Sequence, residues 1–408
     1  MTEGAASKPI LLEGLEQLAT FPGTEAPLRA PALGQVEVIK EAYILCEDGK
    51  IMAAGQEADM PALAANAEVW DCRGKVAVPG LVDCHTHACF AGDRVEEFAL
   101  RAAGASYEEL HAAGGGILNT VRSTREAGGR TLREKLGEHL SWMRRAGTTT
   151  IEAKSGYGLD KETELASLRA IKDAGAIPTW LGAHAVPPEF DDADAYLDFA
   201  LEEVLPEAAE IAEAADVFLE EGAFDAAQAR RYLEASRDAG LELRLHGDQF
   251  TEAGAISLAV ELGARSVDHL EATGDQGVKT LAASDVVGVL LPACALFLDR
   301  PMPPARALVE AGGAVALATD FNPGSSFCES LPLVCSLAAT QLKMSPAEAL
   351  AACTVNASHV LGRADRKGRL APGYDADILL LDAPDWRYLA YHLGGDVVAD
   401  TIVGGRRD

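Results

Sequence analysis

From about residue 76 onward, short apolar segments alternate with amphipathic ones, eight times over, and few folds accommodate that alternation. The apolar segments span residues 81–87, 148–153, 179–184, 217–220, 243–246, 266–270, 287–291 and 314–319. Segments with helical periodicity fall between them, at 132–145, 162–174, 226–239, 255–262, 276–283 and 304–310. Strands that alternate with helices predict a parallel sheet wrapped by helices. Eight units is the count of a (β/α)8 TIM-type barrel. A doubly wound open sheet is the alternative, but no Gly-x-Gly-x-x-Gly follows any strand.

The texture changes on both sides of this region. Residues 34–74 and 368–408 read as short strands joined by turns, with candidate strands at 36–39, 42–46, 51–54, 378–381 and 401–404. The expected organisation is a small β-sandwich domain built from both termini, 1–78 and 368–408, around a catalytic barrel at 79–367. After the eighth strand, Ser345-Pro346-Ala347-Glu348 supplies a cap, a first-turn proline and a capping-box carboxylate for a helix that runs to about residue 361, where Gly362 can end it. The first 30 residues read as irregular and as partial cover for the β-domain. The apolar run from Val76 to Val82 is expected to lead without a break into the first barrel strand.

A chain of 408 residues is long enough for one large barrel, and 48 % hydrophobic with 24 % charged residues is an ordinary globular composition. No apolar stretch approaches the roughly 20 residues that span a bilayer. Met1-Thr2-Glu3-Gly4 lacks the basic-then-apolar pattern of a signal peptide, so a cytoplasmic protein is expected. The formal charge of −28 disfavours nucleic acid and anionic membranes as partners. It also means that an anionic substrate needs specific cations in its site. The cysteines, Cys46, Cys72, Cys84, Cys89, Cys294, Cys328, Cys335 and Cys353, form no Cys-x-x-Cys and read as reduced packing residues.

Barrel active sites lie at the C-terminal ends of the strands. Strand one ends in Asp83-Cys84-His85-Thr86-His87, and in a strand residues i and i+2 share a face, so His85 and His87 are expected side by side. Strand two offers Lys154, Ser155 and Tyr157, and strand three His184. Strand four offers Glu220 and Glu221, and strand five His246, Asp248 and Gln249. Strand six offers His269, and strand eight Asp320, Asn322 and Ser325. His111, His139, His359 and His392 fall elsewhere and are background. Three histidines and an aspartate in such positions suit one Zn2+ or Fe2+ with an open coordination position, which is the arrangement of a hydrolytic rather than a structural site.

These residues resemble the amidohydrolase superfamily: His-x-His on strand one, His on strands five and six, Asp on strand eight. Within it the chain is similar to the imidazolonepropionase family. The segments that carry the likeness are His85-Thr86-His87-Ala88-Cys89-Phe90-Ala91-Gly92-Asp93-Arg94, Glu152-Ala153-Lys154-Ser155-Gly156-Tyr157-Gly158, Gly182-Ala183-His184-Ala185-Val186-Pro187 and Ala318-Thr319-Asp320-Phe321-Asn322-Pro323-Gly324-Ser325-Ser326. The resemblance implies a zinc- or iron-dependent hydrolase, often dimeric, that opens the ring of 4-imidazolone-5-propanoate to N-formimino-L-glutamate.

Carried over by position, it implies one metal held by His85, His87, His246 and Asp320. Substrate contacts fall to Arg94, Tyr157, His184, Gln249, Asn322, Gly324 and Ser325, and the catalytic candidates are Asp320, His269 and Gln249, with Asp320 or His269 the acting base. Arg94 also reads as a salt-bridge partner of Glu96 or Glu97, and Tyr157 as a turn aromatic. Many relatives carry Glu where Gln249 stands. Gln cannot ionise, which removes the proton carrier that deaminases of the superfamily use there. Two-metal relatives bridge their ions with a strand-four lysine, whereas strand four here ends in Glu220 and Glu221, which favours one metal. A deaminase or other cyclic amidase, and a non-catalytic scaffold on the same fold, are the competing readings. Gly114-Gly115-Gly116 reads either as the hinge of a lid or as an irregular turn.

Overall fold

The computed structural model describes residues 8–104 and 116–408. The polar and apolar patterning resolves into two eight-stranded sheets. One is the barrel. Its strands are Leu81–Asp83, Thr148–Lys154, Ile177–Ala183, Ala214–Leu219, Glu242–Gly247, Ser266–His269, Val287–Leu290 and Val315–Leu317, and they lie side by side in chain order. The paired neighbours run parallel. A bridge between Thr86 and Phe321 brings the segments that follow the first and last strands together. All eight expected strands are present, shifted by a few residues at most.

The helices between them are closed by local chemistry. Asp160 caps Lys161–Asp173 by accepting from Thr163 N, and Asp225 with Gln228 forms a capping box on Ala226–Asp238. Ala255–Leu262 lies between two glycines at positive φ. The helix expected at 132–145 extends back to Ile117, with a break at Gly128 (φ 67°, ψ 163°) that only a residue without a Cβ adopts at low cost. The Ser345–Glu348 capping box is present, but a five-residue π-helical stretch, Ala352–Asn356, interrupts the helix before it ends at Gly362.

The second sheet takes strands from both ends of the chain. Its order is Arg406–Arg407, Val398–Val403, Ile378–Leu381, Val76–Pro79, Ile10–Thr20, Glu37–Glu47, Lys50–Gln56, with Glu68–Asp71 also pairing with Ile10–Thr20. Leu12, Leu15, Leu18, Ile44, Ile378, Leu380 and Ile402 form its core.

Three expectations are corrected here. Residues 10–20 are not irregular cover: they form a central strand, and Leu28 is pinned by the buried Asn356, which accepts from Leu28 N (2.6 Å) and donates to Leu28 O (2.9 Å). The candidate strands 36–39 and 42–46 are one strand, Glu37–Glu47, running through Glu41 at φ 49°. The run from Val76 to Val82 is two strands rather than one, Val76–Pro79 in the terminal sheet and Leu81–Asp83 in the barrel. They are divided at Gly80, where a Cβ would come within 2.4 Å of the Thr149 side chain.

Contact density divides the chain into two compact units, Met1–Asp83 with Trp142–Thr150 and Ser330–Asp408, and Cys84–Ser141 with Ile151–Glu329. Every site residue treated below lies in the second. Gly114 and Gly115 of the glycine run fall outside the described residues. Among the described residues, no helix is long and apolar enough to cross a membrane.

Candidate active site

The first barrel strand stops at Asp83, so the two histidines sit on the segment just beyond it. That segment is held from both sides. Lys154 N donates to Thr86 O (2.9 Å), Asp320 N donates to His85 O (3.1 Å) and His87 N donates to Phe321 O (3.0 Å). The His85 and His87 ring centroids are 5.4 Å apart, and both rings are buried.

The four candidate ligands converge. His85 Nε2 lies 3.5 Å from Asp320 Oδ1, His87 Nε2 lies 3.4 Å from the same oxygen, and His87 Nε2 lies 3.1 Å from His246 Nε2. Four ligands at about 2.1 Å from one tetrahedral ion stand roughly 3.4 Å from each other. The three separations just given, 3.1 to 3.5 Å, are close to the edge length of such a site. Two carboxylates turn the imidazoles: Asp268 Oδ2 is 2.6 Å from His85 Nδ1, and Asp216 Oδ1 is 3.0 Å from His246 Nδ1. Placing the protons on Nδ1 leaves both Nε2 lone pairs facing inward, and His85 Nε2 is buried without a hydrogen-bond partner. The residues fit a divalent metal. His269 groups with His85 and His246, and also with Cys294 and Asp320, so it stands at the edge of the same cluster.

Burial decides the charge states. It drives His85 and His87 well below the ordinary imidazole range, helped by Lys154 and the neighbouring rings, and lowers His184 to about 3. These three imidazoles are thus neutral and available as ligands or acceptors. Burial raises Asp320 to about 6. Burial also works against the protonated form of His269, but the adjacent Glu271 and then Asp320 outweigh it, and its pKa rises. Asp320 and His269 sit at positive φ (54° and 85°), an unfavourable backbone region for side chains of this kind that the surrounding structure must impose.

A cavity of about 460 Å3 opens over this cluster, and His87, Arg94, Tyr157, His184, His246, Gln249, His269, Asp320, Asn322, Gly324 and Ser325 all line it. Of the sequence-derived site residues, only His85 is not among the lining residues; it lies in the ligand cluster itself. Arg94 forms the expected salt bridge, Nε donating to Glu97 Oε2 (2.9 Å) and Nη2 pairing with Glu97 Oε1, and the same side chain lines the cavity. Arg101 and Arg300 line it too and add positive charge. Asn322 builds the turn: its Oδ1 accepts from Gly324 N and Ser325 N (2.8 Å each), and its Nδ2 donates to Asp320 O (2.7 Å). His184 Nδ1 lies 2.9 Å from Gly156 O, which ties strand three to the Tyr157 loop. Gln249 Nε2 reaches Cys294 Sγ at 3.6 Å.

Other strand-end groups do different work. Glu220 accepts from Phe250 N and from the Thr251 hydroxyl, anchoring the loop after strand five, and Glu221 is exposed. Asp248 accepts from the Thr273 hydroxyl (2.9 Å). Lys154 is fully buried and absent from the cavity lining. Reading strand ends alone missed Asp268, one residue before His269, and Asp216, three residues before the end of its strand, and also Glu164, which lies on a helix. The available signal was a carboxylate inside an otherwise apolar strand, since ionisable side chains are buried only where they have partners.

The amidohydrolase family model matches residues 76–407. Over 406 residues, 97 % of each chain, the sequence is 59 % identical to an imidazolonepropionase of Rubrobacter xylanophilus. The chain belongs to the imidazolonepropionase branch of the amidohydrolase family. It is likewise 46 % identical to the imidazolonepropionase of Chloroflexus aggregans, again over 97 % of each chain. Among solved structures it is similar to guanine deaminase from C. acetobutylicum, with a TM-score of 0.73 at 16 % identity, covering 98 % of this chain and 100 % of that one. At that identity the likeness speaks for the fold alone, a barrel shared by amidohydrolases of different substrates.

Proposed function

We propose that this chain hydrolyses 4-imidazolone-5-propanoate to N-formimino-L-glutamate, the ring-opening step of histidine degradation. The observation that carries the reading is the 59 % identity to an imidazolonepropionase over 97 % of both chains, with every candidate site residue lining one cavity or its metal cluster.

His85, His87, His246 and Asp320 would hold one Zn2+ or Fe2+, which when bound supplies an ionised water at neutral pH and Lewis acidity toward the ring carbonyl. Asp320 accepts the proton of the attacking water, and His269 donates toward the oxygen on which negative charge develops. The water oxygen bonds to the carbonyl carbon, the ring C–N bond breaks, and Asp320 returns the proton to the leaving nitrogen. Arg94 pairs with the propanoate, its orientation fixed by Glu97, with the Arg101 charge nearby. Tyr157, whose hydroxyl burial keeps protonated, is a donor toward substrate. His184, neutral at physiological pH, and Gln249 hydrogen-bond the ring, and Asn322, Gly324 and Ser325 form the wall behind it. The reading includes a cytoplasmic homodimer and the division of the chain into a β-domain, 1–78 with 368–408, and a barrel, 79–367.

Product analysis tests it. Incubation of the metal-loaded protein with 4-imidazolone-5-propanoate should yield N-formimino-L-glutamate without ammonia. Ammonia release with the ring intact, from this or another heterocycle, would replace the reading with a deaminase.

A further inference from the structure

Buried beside the candidate ligands, and absent from the cavity lining, is a group of charges that neither the ligand set nor the substrate contacts use. Glu152 and Lys154 stand on the second barrel strand, Asp216 on the fourth and Arg244 on the fifth, and all four are 2 % exposed or less. Lys154 Nζ is 2.9 Å from Glu152 Oε1 and 2.9 Å from Asp216 Oδ2. Arg244 Nη1 is 3.2 Å from the same Glu152 oxygen and donates to the Thr179 hydroxyl (3.1 Å). Removing so many ions from water is costly, and well-packed apolar side chains would serve stability as well. The arrangement needs another reason.

Both ends of the group terminate on the candidate metal cluster. At one end, Glu152 Oε2 accepts from Thr86 N (3.0 Å), the amide between His85 and His87, and Glu152 O accepts from the Thr86 hydroxyl (2.6 Å). At the other, Asp216 Oδ1 accepts from His246 N (3.1 Å) and faces His246 Nδ1 (3.0 Å). Lys154 is the member that touches both carboxylates. The path runs Thr86 amide, Glu152, Lys154, Asp216, His246, and it links the segment after the first barrel strand to the fifth strand through buried charge-assisted bonds.

We propose that Lys154 is a positioning residue for the metal centre: it fixes the His85–His87 backbone and the His246 ring relative to one another through Glu152 and Asp216, without contacting metal or substrate. This rests on the ligand set proposed above. The lysine also counters the charge of Asp216, keeping that carboxylate an acceptor that holds the His246 proton on Nδ1 and its Nε2 lone pair free. Asp216 is accordingly held below the usual carboxylate range, because His246 and Lys154 outweigh the effect of burial.

The test measures Zn2+ affinity by chelator competition on the full-length protein, for wild type, Lys154→Met and His246→Asn, with circular dichroism to establish folding. Lys154→Met keeps the length of the side chain and removes its charge. The expected result is a folded protein whose Zn2+ dissociation constant rises roughly tenfold or more, while KM of the Zn2+-saturated variant changes by less than about twofold. A merely structural lysine would lower the melting temperature without moving metal affinity. Should Lys154→Met not fold, the paired Glu152→Gln/Lys154→Met variant removes one charge of each sign and keeps the net charge of the buried group unchanged. The same tenfold loss is expected there. Wild-type Zn2+ affinity in a folded Lys154 variant overturns the proposal. If His246→Asn also binds Zn2+ as wild type does, the ligand assignment itself is at fault; if His246→Asn alone loses Zn2+, only the role of Lys154 falls.

Discussion

Arg94 and Gly324 stand so close that a Cβ at position 324 would lie 2.0 Å from Arg94 Nη1. The strand-eight turn has therefore left room for a guanidinium that Glu97 already holds by two of its nitrogens. Gly324→Ala should push Arg94 off its place. KM for the anionic substrate should rise about tenfold, the equivalent of roughly 1.4 kcal/mol, with kcat changed little. Steady-state kinetics measure it; equal KM values would show that Arg94 is not where the carboxylate binds.

Glu164 is buried, and its Oε1 accepts from Gly156 N (2.9 Å), Gly158 N (2.8 Å) and Leu159 N (3.0 Å). It thus shapes the loop that presents Tyr157. Glu164→Ala leaves three buried donors without that acceptor. A stability loss of roughly 3 kcal/mol in denaturant unfolding is expected, together with a raised KM. A variant with wild-type stability would mean the loop holds its form unaided.

His139 is buried with its ring stacked on Phe90 and Nδ1 2.8 Å from Ala88 O. Burial holds its pKa below the ordinary imidazole range. Above about pH 7.5, a unit over the unfolded value, neither state is appreciably protonated, so the group adds little pH dependence. As pH falls from there toward the depressed folded value, the unfolded chain binds a proton that the folded chain does not, and stability is lost. His139→Gln should lose less stability than wild type between about pH 7.5 and about pH 5.5, read from melting temperatures across that range. An identical pH profile would assign the wild-type loss to other groups.

How much of this was legible in the sequence depended on the kind of signal. The barrel strands announce themselves because each is a short apolar run closed by a helix start, and the ligands stand at or just past strand ends. Ile10–Thr20 was hidden because Gly14, at φ 79°, and the register shift between Leu12 and Leu15 break the alternation that marks a strand. Val76–Pro79 was merged with its neighbour because apolarity does not say which sheet a strand joins; Gly80 carried that information sterically. Asp216 and Asp268 act through partners distant in sequence, and no local pattern reports a partner 30 residues away, as His246 is from Asp216, or 183 away, as His85 is from Asp268.

In the proposed reaction Asp320 works beside a metal held by His85, His87 and His246 to open an imidazolone ring. The most direct measurement follows loss of the imidazolone ultraviolet band in 4-imidazolone-5-propanoate under metal-loaded wild type, chelator-treated wild type and Asp320→Asn. Wild type should turn over, chelation should stop it with recovery on adding Zn2+ or Fe2+, and Asp320→Asn should fall by roughly 1,000-fold or more in kcat. Turnover that survives both chelation and Asp320→Asn would contradict the account.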